Sequence, residues 1–215
     1  MTAHTSFLDY VLPQVPGATN EMALLEIKNT IIDFCEKSLL LQIDHDPVTA
    51  INGIMDYDLE PPSGRLVVKI IRAWYKNIIL EPVGPDEIYT PSIYNQNSGA
   101  LVRREDPRLI TQKDARTFSV YPIPNETVSN SITLRVALKP TRTSTSIDDF
   151  IFEDYAEIIG HGAISRLCIS PDKPYSNPQL AAARNALYLA GLNVARDRAL
   201  KGYVRTSKHV RMRRI

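Results

Sequence analysis

The chain has 215 residues, of which 44% are apolar, 25 are basic and 24 are acidic; this length suits one large domain or two small ones, with ample material for a buried core. Nowhere do eighteen consecutive apolar residues occur, and "MTAHTSFLDYVLPQVPG" has no charged region followed by an apolar run. A membrane span and a secretory signal are therefore not expected, and a cytoplasmic product at synthesis is.

In chain order, "TNEMALLEIKNTIIDFCEKSLL" places Leu24, Ile27, Ile31, Phe34, Cys35 and Leu39 on one helical stripe, with Asn20 as the expected cap and Glu21 and Glu26 near the positive helix end. After this helix the period changes. Gln42 to Pro47, Ile51 to Leu59, Arg65 to Trp74 and Ile78 to Glu81 are short runs rich in β-branched and aromatic residues, separated by Pro, Gly and Asn, and are expected as strands. "KNIIL" reads as a hairpin return and "GPDEIY" as the start of a short helix. Further strands are expected at Arg108 to Lys113, Thr117 to Pro122 and Ser131 to Lys139.

Two helices close the chain. "STSIDDFIFEDYAEIIGHGAISRL" opens with Ser146 and Asp149 at capping-box spacing and repeats Ile147, Ile151, Tyr155, Ile158 and Leu167 down one face. "SNPQLAAARNALYLAGLNVARDRALKG" opens with Asn177 as cap and Pro178 at the first helical position, and ends at Gly202 after Arg196, Arg198 and Lys201. At 1.5 Å per residue this last helix would be about 36 Å long. Gly160 and Gly162 interrupt a helical pattern, where each costs about 1 kcal/mol relative to Ala, so another helix is expected to approach closely there. The two cysteines, Cys35 and Cys168, both lie in apolar helical patterns and are expected reduced and buried.

The order helix, strands, two helices, without βαβ alternation, argues for an α+β fold. One N-terminal helix and two C-terminal helices form a helical bundle, an antiparallel β-rich subdomain is inserted, and a basic tail extends from the end. The expected divisions are 1–41 for the N-terminal segment and first helix, 42–140 for the insertion, 141–202 for the closing helices and 203–215 for the tail.

No nucleophile elbow, phosphate-binding loop, H-E-x-x-H, C-x-x-C or dinucleotide fingerprint occurs, which lowers the case for an enzyme. Asp44, Asp46, Asp56 and Asp58, with His45 between the first pair, could offer oxygens to a hard cation from neighbouring strands; alternation favours instead the solvated face of a hairpin. His161 reads as a packed or capping histidine. Trp74 and Tyr75, flanked by Arg72 and Lys76, would place one ring inward and one outward, with a single core Trp favoured over a platform for nucleic-acid bases. "YNQNSGALVRREDPR" reads as a surface loop.

The last twenty residues carry eight basic side chains and one acidic, whereas the preceding 195 carry 17 and 23. Such a tail can be a solvated segment, a phosphate-neutralising arm or a protein-docking peptide. In "YVRTSKHVRMRRI", Tyr203, Val204, Val210, Met212 and Ile215 are interleaved with Arg205, Lys208, His209, Arg211, Arg213 and Arg214. A purely electrostatic arm needs no apolar anchors, so docking to a protein partner is the leading expectation for Tyr203, Val204, Arg205, Lys208, His209, Arg211, Met212, Arg213, Arg214 and Ile215.

Three stretches resemble the head-to-tail adaptor, or head completion, proteins of tailed bacteriophages. They are "LPQVPGATNEMALLEIKNTIIDFCEKSLL", "DLEPPSGRLVVKIIRAWYKNIILEPVGPDEI" and the run from "RVALKP" to "NVARDRA", covering about Leu12 to Arg198. The resemblance implies a structural virion protein rather than an enzyme, with no cofactor. It implies a ring, of twelve copies, that docks on the portal protein at the head-tail junction, extends the channel for genomic DNA and presents a platform to a tail nozzle or other tail component. Assembly would take place in the host cytoplasm, and the C-terminal segment would run along or between portal subunits. Two alternatives remain: a nucleic-acid-binding module using the basic tail, and a neck or tail-terminator protein contacting the tail tube.

Overall fold

The computed structural model describes residues 1–88 and 104–202. In chain order the elements are β1 (Thr2–Ala3), α1 (Leu8–Val11), α2 (Asn20–Ser38), β2 (Gln42–Ala50), β3 (Asp56–Asp58), β4 (Arg65–Tyr75), β5 (Ile78–Ile79), β6 (Glu81–Pro82) and α3 (Pro85–Ile88). Then follow β7 (Leu109–Gln112), β8 (Thr117–Tyr121), β9 (Val128–Pro140), β10 (Ser146–Ile147), α4 (Asp149–Cys168) and α5 (Pro178–Lys201). The fold is mixed α+β. The chain divides into two compact units: one holds Met1–Leu40 and the chain from Asp148 onward, the other Leu41–Ile147.

In the helical unit, α2, α4 and α5 pack against one another. The α2 stripe is buried through Ile27, Ile31, Phe34 and Cys35, joined by Ala23, Thr30 and Ser38. Leu24 and Leu39 are only half-buried, and Leu39 ends the helix at φ +54. The cap is Thr19 rather than Asn20: Thr19 is extended and its hydroxyl oxygen accepts from the Met22 N–H at 3.4 Å, so Asn20 becomes the first helical residue. Cys35 and Cys168 are free and buried.

α4 starts at Asp149 behind Asp148, not at a Ser146 capping box. Ser146 and Ile147 are extended in β10, and the Asp149 carboxylate is occupied by the Thr2 hydroxyl at 2.7 Å. α5 starts as its sequence predicts. Asn177 Oδ1 accepts from the Leu180 N–H at 3.0 Å, Pro178 fills the first turn, and Gly202 ends the helix at φ +65.

The glycines of α4 and α5 set how close these helices lie. A Cβ added at Gly162 would stand 2.6 Å from Thr30 Cγ2 of α2 and 2.9 Å from Tyr188 Cδ2 of α5. One at Gly191 would stand 2.6 Å from Ile158 Cδ1 of α4. Gly160 instead faces Tyr10 Cβ at 3.1 Å. The Tyr188 hydroxyl donates to Asp33 Oδ2 at 2.8 Å, and Arg198 Nη1 donates to Asp154 Oδ2 at 2.7 Å and to the Tyr155 hydroxyl at 3.0 Å. Burial, followed by the adjacent Asp33 carboxylate, pushes the Tyr188 phenol well above its ordinary range.

The β-rich unit contains two four-stranded sheets, ordered β2-β9-β4-β5 and β3-β8-β7-β6. All pairs are antiparallel except β6 with β7. In the central strand β9, Ile132, Leu134, Val136 and Leu138 are at most 1% exposed and define the inner face. The expected strand over Ile51 to Leu59 is cut to Asp56–Asp58. Asn52-Gly53 turns the chain there, with Gly53 at φ +80. Tyr57 locks the turn: its hydroxyl oxygen accepts from the Ile51 N–H at 3.1 Å and its O–H donates to the Ile54 carbonyl at 2.9 Å. The hairpin after β4 is closed by Lys76 and Asn77, both at positive φ, as a two-residue turn whose twist suits the strands.

Two predictions follow from the helix contacts. Gly162→Ala should cost about 1–3 kcal/mol by overpacking, whereas Gly84→Ala, where the nearest atom to the new Cβ is Glu87 Oε1 at 3.9 Å, should stay within about 0.5 kcal/mol; urea unfolding followed by circular dichroism reads both. Because the folded-state pKa of Tyr188 is raised, its stabilising share is complete below the unfolded value near 10 and is lost as pH rises beyond it. Tyr188→Phe should therefore flatten the fall of stability above pH 10 by up to about 1.4 kcal/mol per pH unit.

Candidate functional site

The four acids of the possible cation site are not brought together. Asp44 and Asp46 lie on β2, which pairs with β9, whereas Asp56 and Asp58 lie on β3, which pairs with β8 in the other sheet. Arg135 spans Asp44, Nε to Oδ1 at 2.8 Å and Nη2 to Oδ2 at 3.2 Å, and this bond holds the Asp44 carboxyl below the usual carboxylate range. Asp56 accepts from Ser119 Oγ at 2.6 Å and Lys113 Nζ at 2.8 Å. His45 is buried between them in sequence only: Nδ1 lies 2.7 Å from the Asp46 carbonyl and Nε2 accepts from the Glu60 N–H at 3.0 Å, which leaves neither ring nitrogen for a metal. Among the described residues no group of three or more His, Cys, Asp or Glu side chains could hold a metal ion.

His161 packs on the surface of α4 beside a cavity of about 310 Å³ lined by Asp9, Tyr10, Pro13, Gln14, Glu157, His161 and Arg184. Its Nδ1 faces Arg184 Nη1 at 3.5 Å and its Nε2 faces Glu157 Oε1 at 3.7 Å. Burial first, then the Arg184 charge, lowers the imidazole pKa, and Glu157 partly offsets both. The ring is thus a packed, predominantly neutral group at neutral pH.

Trp74 and Tyr75 do point to opposite faces, but the core ring is Tyr75. Tyr75 is 1% exposed and pairs with Ile132 on the inner face, whereas Trp74 is half-buried and pairs with Thr133 on the outer face. The sequence reading favoured a core Trp; strand register puts Tyr75 there instead. Lys76, at the hairpin turn, bonds Glu126 and Asp106 rather than standing open beside Trp74.

The larger exposed feature is on α5. Between Arg184 and Arg196 no residue is charged, although the buried side needs only Tyr188, Leu192 and Ala195. Leu187 is 49% exposed, Leu189 45% and Val194 62%, with Ala183, Ala186 and Ala190 exposed beside them. An apolar helix surface of this kind marks a contact with another protein surface more often than with water. Sequence reasoning took α5 for a bundle helix and missed this second face; the signal was present in the uncharged run. No helix among the described residues is long and apolar enough to cross a membrane.

The tail residues Tyr203, Val204, Arg205, Lys208, His209, Arg211, Met212, Arg213, Arg214 and Ile215 lie outside the described residues, as do Tyr94 to Arg103 of the expected surface loop. A family model described as SU10 adaptor protein matches residues 16–211. Comparison with curated proteins finds no match.

The His161 environment is testable in solution. Its ring should titrate below the ordinary 6.5, and Arg184→Gln should raise the midpoint while Glu157→Gln lowers it further, as read from ring proton shifts by NMR. Because the folded value is depressed, the neutral ring's stabilising share is complete above pH 6.5 and is lost as pH falls below it.

Proposed function

The chain belongs to the SU10 adaptor protein family, a structural family of the phage head-tail junction, and on that premise we propose that it forms a ring, of twelve copies, that docks on the portal protein. The ring extends the channel for genomic DNA and presents a platform to the next tail component. The observation that carries this reading is the apolar outer face of α5 in a chain whose family is an adaptor. Helical segments 1–41 and 141–202 would supply the bundle that forms the ring body, with 42–140 as the insertion and 203–215 as a docking arm. In a ring, each α5 face that costs free energy in water is covered by a neighbouring copy at about 25 cal/mol per Å² of apolar surface. Covering that face with a different surface of the next copy would make a head-to-tail contact, which gives a ring where the rotation between copies closes.

The arm supports portal docking by composition. Its apolar residues alternate with cations, so side chains can anchor in pockets while charge attracts an acidic surface. Ordering such a segment costs about 2–5 kcal/mol of gross interaction energy, which keeps each contact weak and reversible. Many arms on one portal ring then add avidity without a strong single site. Virion assembly would take place in the host cytoplasm, as the resemblance to phage adaptors implies.

Co-sedimentation of the cognate portal ring with the full-length chain, and with a version ending at Gly202, tests the docking arm at two salt concentrations. The full chain should bind and the shortened one should lose at least tenfold in affinity; equal binding by both would remove the tail from the docking contact, and binding by neither would overturn portal docking and leave the nucleic-acid module and the tail-tube position as the readings. Leu187→Glu with Val194→Glu should leave the helical content intact and prevent ring formation on the portal, read by negative-stain electron microscopy.

A further inference from the structure

The outer face of the β2-β9-β4-β5 sheet has an ordered charge pattern. Residues 133, 135, 137 and 139 of β9 share this side by the two-residue period, Ala137 being fully covered among its longer neighbours, and the register sets Trp74 against Thr133, Arg72 against Arg135, Lys69 against Ala137 and Leu66 against Lys139. Lys69 and Arg72 are three apart and would lie on opposite faces of a regular strand. The register shift between Ile70 and Arg72 is a bulge that turns both to the same side.

This arrangement carries an internal cost. Arg72 stands directly opposite Arg135, and like charges across a strand pair are destabilising. Asp44 holds Arg135 from the other side, but among the described residues neither Lys69 nor Arg72 has a carboxylate partner. Lys69, Arg72 and Arg135 are exposed, and Lys139 is half-buried. Asp44 and Asp46 stand at the β2 edge of the face. A like-charge pair kept in place by two strand irregularities is a local rule broken where function is the usual reason.

We propose that this face contacts the phosphate backbone of double-stranded DNA, with Lys69, Arg72, Arg135 and Lys139 as the phosphate-facing cations and Asp44 fixing the aim of Arg135. Charge complementarity selects a polyanion. A protein partner is less suited, because protein interfaces have apolar, charge-depleted centres. Here the centre is cationic, and among the described residues the large exposed apolar side chain bordering it is Ile79, opposite Trp74 at the hairpin end. Duplex is favoured over single strands because four cations contribute and only one half-buried ring is available for stacking. The contact is indifferent to base sequence, since backbone contacts position without specifying. It deepens the adaptor reading, and rests on it for the presence of DNA, and it puts the DNA contact on the sheet rather than on the tail.

The test measures binding of a mixed-sequence 30-base-pair duplex by the full chain and by Lys69→Gln/Arg72→Gln, using fluorescence anisotropy between about 50 and 200 mM salt. The double variant should lose about tenfold or more at the lowest salt, and its plot of log K against log salt should be shallower by about 1.8, two contacts at 0.9 each. Its Tm should equal or exceed that of the parent, because removing Arg72 relieves the pair with Arg135. An unchanged affinity and slope would overturn the proposal, as would absence of duplex binding by the parent chain, or a lowered Tm with an unchanged slope. Tighter binding of single strands, or competition by poly-glutamate as effective as by duplex at equal charge, would also overturn it, the latter by assigning the face to an acidic protein. Portal co-sedimentation of the same double variant keeps the two readings apart: binding retained there while the duplex result fails leaves the adaptor role standing.

Discussion

The absence of a side chain at Gly162 governs the helical unit. Thr30 and Tyr188 occupy the space in which a Cβ would sit, so α2, α4 and α5 meet at a distance that a larger residue would prevent. Gly191 does the same for Ile158. These approaches turn Tyr188, Leu192 and Ala195 inward, and the rotation of α5 that results leaves Leu187, Leu189 and Val194 facing out. The exposed face and the close packing are therefore two sides of one helix orientation. The Tyr188 to Asp33 hydrogen bond and the Arg198 contacts then pin that orientation with groups that satisfy one another.

The β-rich unit reaches its charge pattern by different means. Alternation places the large apolar residues of β9, Ile132, Leu134, Val136 and Leu138, inward at even positions, and Ala137 is the small apolar residue on the other side. On β4, bulges shift the period, so that Lys69, Arg72 and Trp74 share a face that simple alternation would have split. Structural adaptors have no reaction chemistry to arrange. What their sequences specify is where surfaces of given charge and apolarity stand, and both units spend backbone irregularities and glycines on that.

Much of this was legible in the residues. The stripe of α2, the Asn177-Pro178 start and Gly202 stop of α5, the hairpin after Tyr75 and the expectation of close approach at the α4 glycines all rest on local chemistry, and local chemistry settled them. What failed depended on pairing across the sequence. Trp74 and Tyr75 could be separated only by knowing that β4 pairs with β9 in a bulged register. The Ser146 capping box had the right spacing, but Ser146 was taken by an extended segment, and Asp56 was assigned to a strand beside Asp44 when the two belong to different sheets. The exposed face of α5 was visible as a run without charge, yet a run of that kind also describes a buried helix, and only the packed structure tells the two apart.

The central claim is that the outer face of α5 is covered when the protein assembles. Hydroxyl-radical footprinting of Leu187, Leu189 and Val194, comparing the free chain with the portal-bound assembly and using buried Leu192 as the internal reference, tests it directly. The account predicts that labelling of all three falls severalfold on assembly while Leu192 stays low in both states. Unchanged labelling of the three in a portal-bound assembly would contradict it, and would move the subunit contacts to another surface of the molecule.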